Sequence, residues 1–266
     1  MTRPVSTDDI KRSIRAGWDA ISDSYQSETR LSLEDVHYAP LSPGERDLGL
    51  LGDVCGESVL ELACGSAQNS IALAKWGARV TGLDISPRQL NRARELLARE
   101  GVDVDLVRGD MERLWMFRDG SFDIVLSSFG WEFVLDLSTC LEECNRVLRR
   151  GGILVVATVH PLSAFEWDED EKAVIVTDYF NPPVERWGEA DDDQKPRAIT
   201  IFHTIEEMFG LLTGAGFSVE RLLEPCPYPA EQEARGDAPY SGPYWHGHEE
   251  RFRRVPFAIV YAARKA

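Results

Sequence analysis

The chain has 266 residues, a formal net charge of −16 and an isoelectric point near 4.8. Because proteins that bind nucleic acids normally present a basic face, this acidic balance argues against such a partner and favours a small molecule. No linker rich in Pro, Gly or Ser divides the chain, so we expect one domain over residues 1–266. The five cysteines form no Cys-x-x-Cys pair, and we find neither a signal peptide nor an apolar run of membrane length, which indicates the cytoplasm.

The first periodic segment predicts an amphipathic helix from Thr7 to about Tyr25. Its apolar residues recur at helical spacing: Ile10, Ile14, Trp18, Ile21 and Tyr25. We expect this face to pack on the body of the domain.

A strand, a tight turn and a helix follow at Ser58–Ala74, where the sequence Glu61-Leu62-Ala63-Cys64-Gly65-Ser66-Ala67 forms the turn. About twenty residues later, the strand at residues 78–84 ends in Asp84, the spacing at which a carboxylate binds ribose hydroxyls. Together they predict a bound nucleoside. The turn has only Gly65 of the three glycines in a dinucleotide-binding fingerprint, so the pattern gives little support for a bound pyrophosphate.

The remaining elements alternate along the chain. Ser86-Pro87 begins a helix that ends at Gly101, a second helix ends at Gly151-Gly152, and a capping box at Thr204 and Glu207 begins a third. The strands are expected at residues 58–60, 78–84, 102–107, 122–129, 153–159, 217–223 and 257–262. Strands separated by crossover helices predict an α/β fold with a doubly wound, mainly parallel sheet.

Five motifs identify a family. In chain order they are Glu61-Leu62-Ala63-Cys64-Gly65, Val80-Thr81-Gly82-Leu83-Asp84-Ile85-Ser86, Gly109-Asp110-Met111, Phe122-Asp123-Ile124-Val125-Leu126-Ser127 and Leu148-Arg149-Arg150-Gly151-Gly152-Ile153-Leu154. In order and spacing the chain resembles the class I S-adenosylmethionine-dependent methyltransferases of the small-molecule branch, over roughly residues 10–265. The resemblance implies a Rossmann-like sheet of seven strands whose last strand is antiparallel.

The resemblance also implies S-adenosyl-L-methionine as cofactor, with S-adenosyl-L-homocysteine as product. By position, the turn at Gly65 faces the methionine part, Asp84 binds the ribose and Asp110 binds the adenine amino group. Ala63 and Ala67 stand where the family usually has glycine, and we expect binding to survive this change. The other residues expected at the cofactor are Glu61, Ala63, Ile85, Gln89, Met111 and Ser127.

Two residues are candidates for catalysis. Methyl transfer from a sulfonium requires the protein mainly to position the acceptor and exclude water, and a hydroxyl or ammonium acceptor also requires a base. His160 is our first candidate, because it follows the strand at 153–159 beside the ligand crevice of an open α/β sheet. Tyr25 is the reserve, since the N-terminal segment of the family often closes over the cofactor. A purely structural role remains open for both side chains.

Two aromatic-rich insertions, residues 161–200 and 225–255, interrupt the alternating pattern. They suit a flat aromatic acceptor, or else they form the core of a lid. Their aromatic residues are Phe165, Trp167, Tyr179, Phe180, Trp187, Tyr228, Tyr240, Tyr244 and Trp245. We interpret the acidic runs at 168–171 and 191–193 as solvated tips, and we expect no metal site at His246 and His248, which lack a third ligand nearby.

These observations predict a methyltransferase that acts on a small aromatic or polycyclic metabolite, with secondary metabolism as its setting. The acceptor atom, carbon, nitrogen or oxygen, stays open, as does the choice between monomer and homodimer. We expect no partner other than the small molecule, neither nucleic acid nor membrane. Two alternatives remain at this point: a nicotinamide-dependent oxidoreductase, and a catalytically idle cofactor-binding protein.

Overall fold

A computed structural model describes residues 6–187, 198–229 and 238–266. In chain order its strands are β1 (Arg30–Leu31), β2 (Ser58–Leu62), β3 (Arg79–Asp84), β4 (Asp105–Arg108), β5 (Phe122–Ser128), β6 (Leu148–Val159), β7 (Glu166–Asp168), β8 (Ala173–Ile175), β9 (Glu185–Trp187), β10 (Ala198–Thr200), β11 (Phe217–Leu223), β12 (Tyr240–Ser241) and β13 (Ala258–Lys265). Its helices are α1 (Thr7–Glu28), α2 (Glu45–Leu48), α3 (Gln68–Lys75), α4 (Pro87–Glu100), α5 (Leu137–Val147), α6 (Ile205–Gly214), α7 (Pro243–His246) and α8 (Glu249–Arg254).

The main sheet has seven strands in the order β11-β13-β6-β5-β2-β3-β4. β4, β3, β2, β5 and β6 run parallel to their neighbours, whereas β13 pairs antiparallel with both β6 and β11. The predicted mainly parallel sheet with an antiparallel last strand is therefore confirmed. Parallel strands end at one edge of the sheet, so the turns that follow them lie close together.

Two hydrophobic cores cover the sheet. Neighbouring strand residues belong to different cores, as expected for side chains that alternate between faces: Leu60 packs in the core that contains Leu212 of α6, and Val59 packs in the core that contains Leu73 of α3. Cys140 and Cys144 of α5 are fully buried in the first core, as expected of structural thiols. None of the described helices has the length and apolar character needed to cross a bilayer.

Several boundaries differ from the sequence prediction. α1 extends to Glu28, three residues beyond Tyr25, and α5 ends at Val147 rather than at Gly151-Gly152. The chain passes from α5 directly into β6, and these glycines lie in a bulge where the pairing of β5 with β6 skips residues 149–152. β4 begins at Asp105 rather than at Val102. The predicted helix starts at Ser86 and Thr204 are confirmed by their side-chain caps.

The insertions build small structures of their own. The described part of residues 161–200 contains a 3₁₀ turn at Pro161–Ala164 and two antiparallel strand pairs, β7 with β8 and β9 with β10. Asp168 caps the tip of the first hairpin by accepting the amides of Asp170 and Glu171, which fits a solvated tip; the acidic run at 191–193 lies outside the described residues. In the second insertion, β12 pairs with β1, which ties this segment to the end of α1.

Candidate active site

Two adjoining cavities lie at the carboxyl ends of the parallel strands. The strand-end cavity, of about 240 Å³, is walled by the turns after β2, β3, β4 and β5 and by α1. The aromatic cavity, of about 500 Å³, lies between α1 and the two insertions. We call the residues that line both cavities the junction: Trp18, Tyr25, Glu132, Val159, Trp245 and Phe257.

The turn after β2 forms the floor of the strand-end cavity. Ala63, Gly65 and Ala67 all have positive φ values, of 53°, 53° and 65°. Only glycine adopts this left-handed conformation without strain, so the two alanines persist there because surrounding contacts hold the turn. The Gly65 amide donates to Asp84 Oδ2 at 2.8 Å, and the Ser66 hydroxyl donates to Gln89 Oε1 at 2.7 Å.

Asp84 closes the end of β3 and faces the strand-end cavity. Its side chain is only 8% exposed, and its Oδ1 accepts the Ser86 amide at 2.7 Å. Burial raises the pKa of this carboxyl to about 6, although the amides of Ser86 and Gly65 oppose the shift. The carboxylate is thus held by the backbone of two turns at once.

Helix α1 is fastened to the same turns. Lys11 Nζ lies 2.6 Å from Asp110 Oδ2 and 2.6 Å from Glu112 Oε2. Eight residues further along α1, Asp19 accepts the Ser86 hydroxyl at 2.5 Å. These part-buried contacts cover the strand-end cavity with α1.

Two more polar side chains line this cavity beside the turn. Glu61 is buried, accepts the Ser70 hydroxyl, and has its pKa raised to about 7 by burial. Asn69 accepts the amide of His37 through Oδ1 at 3.0 Å, and its side chain also acts on Glu61 as a hydrogen-bond donor that opposes the rise in pKa.

The predicted cofactor residues meet in the strand-end cavity with one exception. Its lining includes Glu61, Ala63, Gly65, Asp84, Ile85, Gln89, Asp110 and Met111. Ser127 is fully buried and does not line it; Ser128 does, and its hydroxyl donates to the carbonyl of His37 at 3.0 Å. Successive residues of a strand point to opposite faces, so the side chains of Ser127 and Ser128 do not both face the cavity.

His160 does not line either cavity. Its Nδ1 accepts the Leu162 amide at 3.1 Å, which caps the 3₁₀ turn, and its Nε2 lies 3.0 Å from Glu224 Oε1. Burial lowers the pKa of this imidazole, although Glu224 opposes the shift. Because both ring nitrogens are engaged and the ring is 3% exposed, its placement argues against a role as the base.

Tyr25 does lie at the junction, as the reserve hypothesis requires. Its hydroxyl is 2.7 Å from the hydroxyl of Tyr240 in β12. This hydrogen bond links α1 to β12, beside the pairing of β12 with β1. Burial raises the pKa of Tyr25 to about 12. The phenol therefore stays protonated near neutral pH and can orient an acceptor, but it is a poor base.

Glu132 provides the carboxyl group of the junction and was not among the residues predicted from the sequence. It lies in a 3₁₀ turn, Trp131–Phe133, after β5, and is 4% exposed. Thr158 of β6 donates its hydroxyl to Glu132 Oε2 at 3.2 Å. Burial raises the pKa of Glu132 to about 7, and the bond from Thr158 opposes the shift. A single acid in an aperiodic loop gives no signal in the sequence that marks it as buried.

Three of the aromatic residues predicted for the acceptor pocket line the cavities: Tyr240, Tyr244 and Trp245. Phe165 is buried away from them, and Phe180 is 77% exposed. Part of the aromatic material in the insertions is thus their own packing. His248 lines the aromatic cavity, whereas His246 lines neither.

The turn after β2 and the turn after β5 approach so closely that we expect Gly130→Ala to displace both. A Cβ atom at Gly130 would lie 2.4 Å from the Cβ of Ala63. Such overpacking typically costs about 1–3 kcal/mol. We therefore expect a lower free energy of unfolding and weaker binding of the expected cofactor in the strand-end cavity. Urea unfolding measures the first. Adding Ala63→Gly removes the clashing methyl and should restore stability; no restoration by this second substitution would contradict the contact.

The raised pKa values of Glu61 and Glu132, both about 7, predict how stability depends on pH. Each group binds its proton more tightly in the folded chain than in the unfolded chain, where its pKa is near 4.5. Stability from these groups is therefore present at low pH and lost as pH rises through 7. Three histidines have lowered pKa values and act in the opposite direction below pH 6.5: His37, His160 and His203.

We therefore expect the free energy of unfolding of the ligand-free protein to fall between about pH 6.5 and pH 8. Urea titrations across this range measure it. The fall should be smaller in Glu132→Gln, which cannot titrate. A free energy that rises with pH across this range, or a slope unchanged by the substitution, would contradict the placement of these carboxyls.

Comparison with known proteins assigns the chain to a family. The methyltransferase domain family matches residues 60–156. The chain is 30% identical to an uncharacterized methyltransferase, YbaJ of Bacillus subtilis, over 71% of this chain and 76% of that protein. It is 39% identical to the demethylmenaquinone methyltransferase of Tropheryma whipplei, over 48% of this chain and about half, 51%, of the relative. A crystal structure of an S-adenosylmethionine-dependent methyltransferase from Mesorhizobium loti matches with a TM-score of 0.65 at 25% identity, over 82% and 95% of the two chains.

The chain therefore belongs to the S-adenosylmethionine-dependent methyltransferases, and S-adenosylmethionine is its cofactor. This confirms the family, the enzyme class and the cofactor that the motifs predicted. Membership of this family also argues against the two alternative functions, the nicotinamide-dependent oxidoreductase and the catalytically idle binding protein.

Proposed function

We propose that the strand-end cavity binds S-adenosylmethionine, that the aromatic cavity binds a small aromatic acceptor, and that the methyl group passes between them at the junction. The observation that carries this proposal is the continuity of the two cavities through six shared residues. In-line transfer needs the two reactants in contact and shielded from water, which such a junction provides.

The polar groups of the strand-end cavity fit the parts of the cofactor. Asp84 would accept the ribose hydroxyls and Asp110 the adenine amino group, because each carboxylate oxygen retains a free lone pair beside its present donor. Glu61 and the amide of Asn69, which both line this cavity, would bind the ammonium and carboxylate of the methionine part. The residues present therefore fit the cofactor, each by its charge or its hydrogen-bonding capacity.

The proposal for the acceptor site rests on the side chains that line the aromatic cavity. The aromatic cavity is lined by Trp18, Phe202, Tyr244, Trp245, Phe252 and Phe257, side chains that stack on flat rings. The relative from Tropheryma whipplei is named for demethylmenaquinone, a name that also points to a ring as the acceptor. Since the chain spans only about half of that relative, we take from it the class, an aromatic small molecule, and no particular substrate.

When bound, the cofactor supplies a methyl group already activated as a sulfonium. The chain's own residues orient the acceptor and exclude water. Tyr25 and Tyr240, which bond to each other at 2.7 Å, can fix a polar group of the acceptor, and α1 covers the cavity through Lys11 and Asp19. In this proposal α1 and the two insertions form a lid within one domain of residues 1–266.

Titration calorimetry tests the cofactor half of the proposal. We expect S-adenosylhomocysteine to bind at one site and NAD to give no heat. Transfer of labelled methyl from S-adenosylmethionine to a panel of aromatic compounds tests the acceptor half. Binding of NAD in place of S-adenosylhomocysteine, or transfer only to aliphatic compounds, would contradict the respective half.

A further inference from the structure

We infer that the aromatic cavity selects an acceptor with a cationic nitrogen, an alkylamine in its ammonium form that carries an aromatic ring, and that Glu132 holds this cation and takes the proton it must lose. The inference rests on the proposed function of the two cavities. It assigns the acceptor atom as nitrogen, and it places Glu132 in contact with that atom.

The first observation is that Glu132 has weaker partners than two other buried glutamates, Glu45 and Glu112. Glu45 accepts two backbone amides and the hydroxyl of Tyr38, and Glu112 binds Lys11 and two backbone amides. Within the described residues, the donors to Glu132 are its own backbone amide and the hydroxyl of Thr158, at 3.2 Å, and no Lys, Arg or His pairs with it. An unpaired buried carboxylate is costly, and a cationic ligand would remove that cost.

The second observation is the set of rings around this carboxyl. Trp18 and Tyr25 meet edge to face, with centroids 5.7 Å apart, and Trp245 and Phe257 meet at 59°, with centroids 5.2 Å apart. All four line the junction with Glu132. Ring faces attract cations, so non-parallel rings beside a carboxylate are the chemistry that recognises an alkylated or protonated amine.

The third observation is the charge of the remaining wall. The aromatic cavity is also lined by Glu28 and Glu185, both exposed, and by Arg251 and His248. Arg251 donates to the carbonyls of Ser163 and Phe165, at 3.4 Å and 3.0 Å, and burial lowers its pKa. The lining therefore contains three carboxyl groups, those of Glu28, Glu132 and Glu185, and one guanidinium, that of Arg251, which already donates to backbone oxygens. This balance favours a cation over an anion.

The transfer balances with Glu132 as base. The carboxylate accepts one proton from the ammonium, which frees the lone pair of the nitrogen. That pair forms the new bond to the methyl carbon while the bond from carbon to sulfur breaks and its electrons stay on sulfur. The products are the methylated ammonium, neutral S-adenosylhomocysteine and protonated Glu132, which returns its proton to water. Burial places the pKa of Glu132 at about 7, where a base works best near neutral pH.

Binding of a pair of probes tests the inference without any need for the natural substrate. Benzyltrimethylammonium carries a permanent cation, and neopentylbenzene has the same shape without charge. Quenching of tryptophan fluorescence reports binding, because Trp18 and Trp245 lie beside Glu132. With saturating S-adenosylhomocysteine at pH 8, we expect the cation to bind about tenfold or more tightly than the neutral probe.

Variants and pH identify the residue responsible. We expect Glu132→Gln to lose the preference for the cation and Glu220→Gln, an exposed carboxylate paired with Arg264, to retain it. If Glu132→Gln does not fold, the wild-type protein still gives the answer, because affinity for a cation that cannot titrate should rise about tenfold from pH 6 to pH 8 as Glu132 ionises. Tyr25 and Tyr240 are the phenols that interact with this carboxyl, and both stay neutral over this range. His248, Glu28, Glu185 and Arg251 line the aromatic cavity, and Glu61 and Asp84 line the strand-end cavity with pKa values of about 7 and 6. The rise is therefore assigned to Glu132 only if Glu61→Gln retains it.

Two results would overturn the inference: equal affinity for the two probes, or a preference for the cation that Glu132→Gln leaves intact. The affinity for S-adenosylhomocysteine, measured in the same samples, separates this failure from that of the proposed function. If the nucleoside binds and the cation is not preferred, only the inference about nitrogen fails. If the nucleoside does not bind, the assignment of the strand-end cavity fails as well.

Discussion

Replacing Asp84 with Ala is expected to weaken binding of S-adenosylhomocysteine about thirtyfold or more. Two charge-assisted hydrogen bonds to the ribose would be lost, and such bonds contribute on the order of 2 kcal/mol or more in a buried site. The substitution also removes two hydrogen bonds within the protein. Asp84 accepts the amides of Gly65 and Ser86 and so fixes the turn after β2.

Titration calorimetry measures this effect against two controls. Asp84→Asn keeps the size of the side chain and separates loss of charge from collapse of the turn. Asp105→Ala removes an exposed acid from the amino end of β4, at the opposite edge of the sheet, and should leave affinity unchanged. Affinity of Asp84→Ala within threefold of the wild type would remove Asp84 from the cofactor site.

The second large effect is expected on turnover. Once an acceptor is known, Glu132→Gln should lower kcat about a hundredfold or more, the usual contribution of a general base, with little change in affinity for S-adenosylhomocysteine. In the wild type, kcat should rise with pH through about 7, because the base acts only when its carboxyl has lost the proton. The variant should lack this rise.

His160→Ala is the informative comparison. The imidazole caps a 3₁₀ turn and contacts Glu224, so its loss should lower the melting temperature while activity per folded molecule is preserved. Stopped assays on both variants, corrected for the folded fraction, decide between the two residues. If His160→Ala abolishes turnover and Glu132→Gln retains it, the base is His160, and the present assignment is wrong.

The sequence predicted most of the lining of the strand-end cavity because these residues follow strands directly. Gly65, Asp84 and Asp110 each stand at a fixed offset from the end of an apolar run, and parallel strands bring those ends together. Ser127 shows the limit of this reasoning. The pattern gives the strand end, whereas the face of the strand depends on register, and Ser128 is the residue that reaches the cavity.

The acceptor side depended on contacts that no local pattern encodes. Lys11 reaches Asp110 across 99 residues of sequence, and Glu132 shares its cavity with residues of α1 and of both insertions, far away in the sequence. His160 had the right residue type at the right strand end, but its ring turned toward Glu224 and the backbone. The pKa of a side chain depends on such surroundings, so the base proposed here, Glu132, was beyond prediction from spacing.

A crystal structure of the protein with S-adenosylhomocysteine tests the central claim most directly. We predict the adenosine in the strand-end cavity, with its ribose on Asp84 and its adenine near Asp110, and the sulfur at the junction, facing Glu132. An adenosine bound in the aromatic cavity, or a sulfur directed away from the junction, would contradict the transfer of the methyl group between these two cavities.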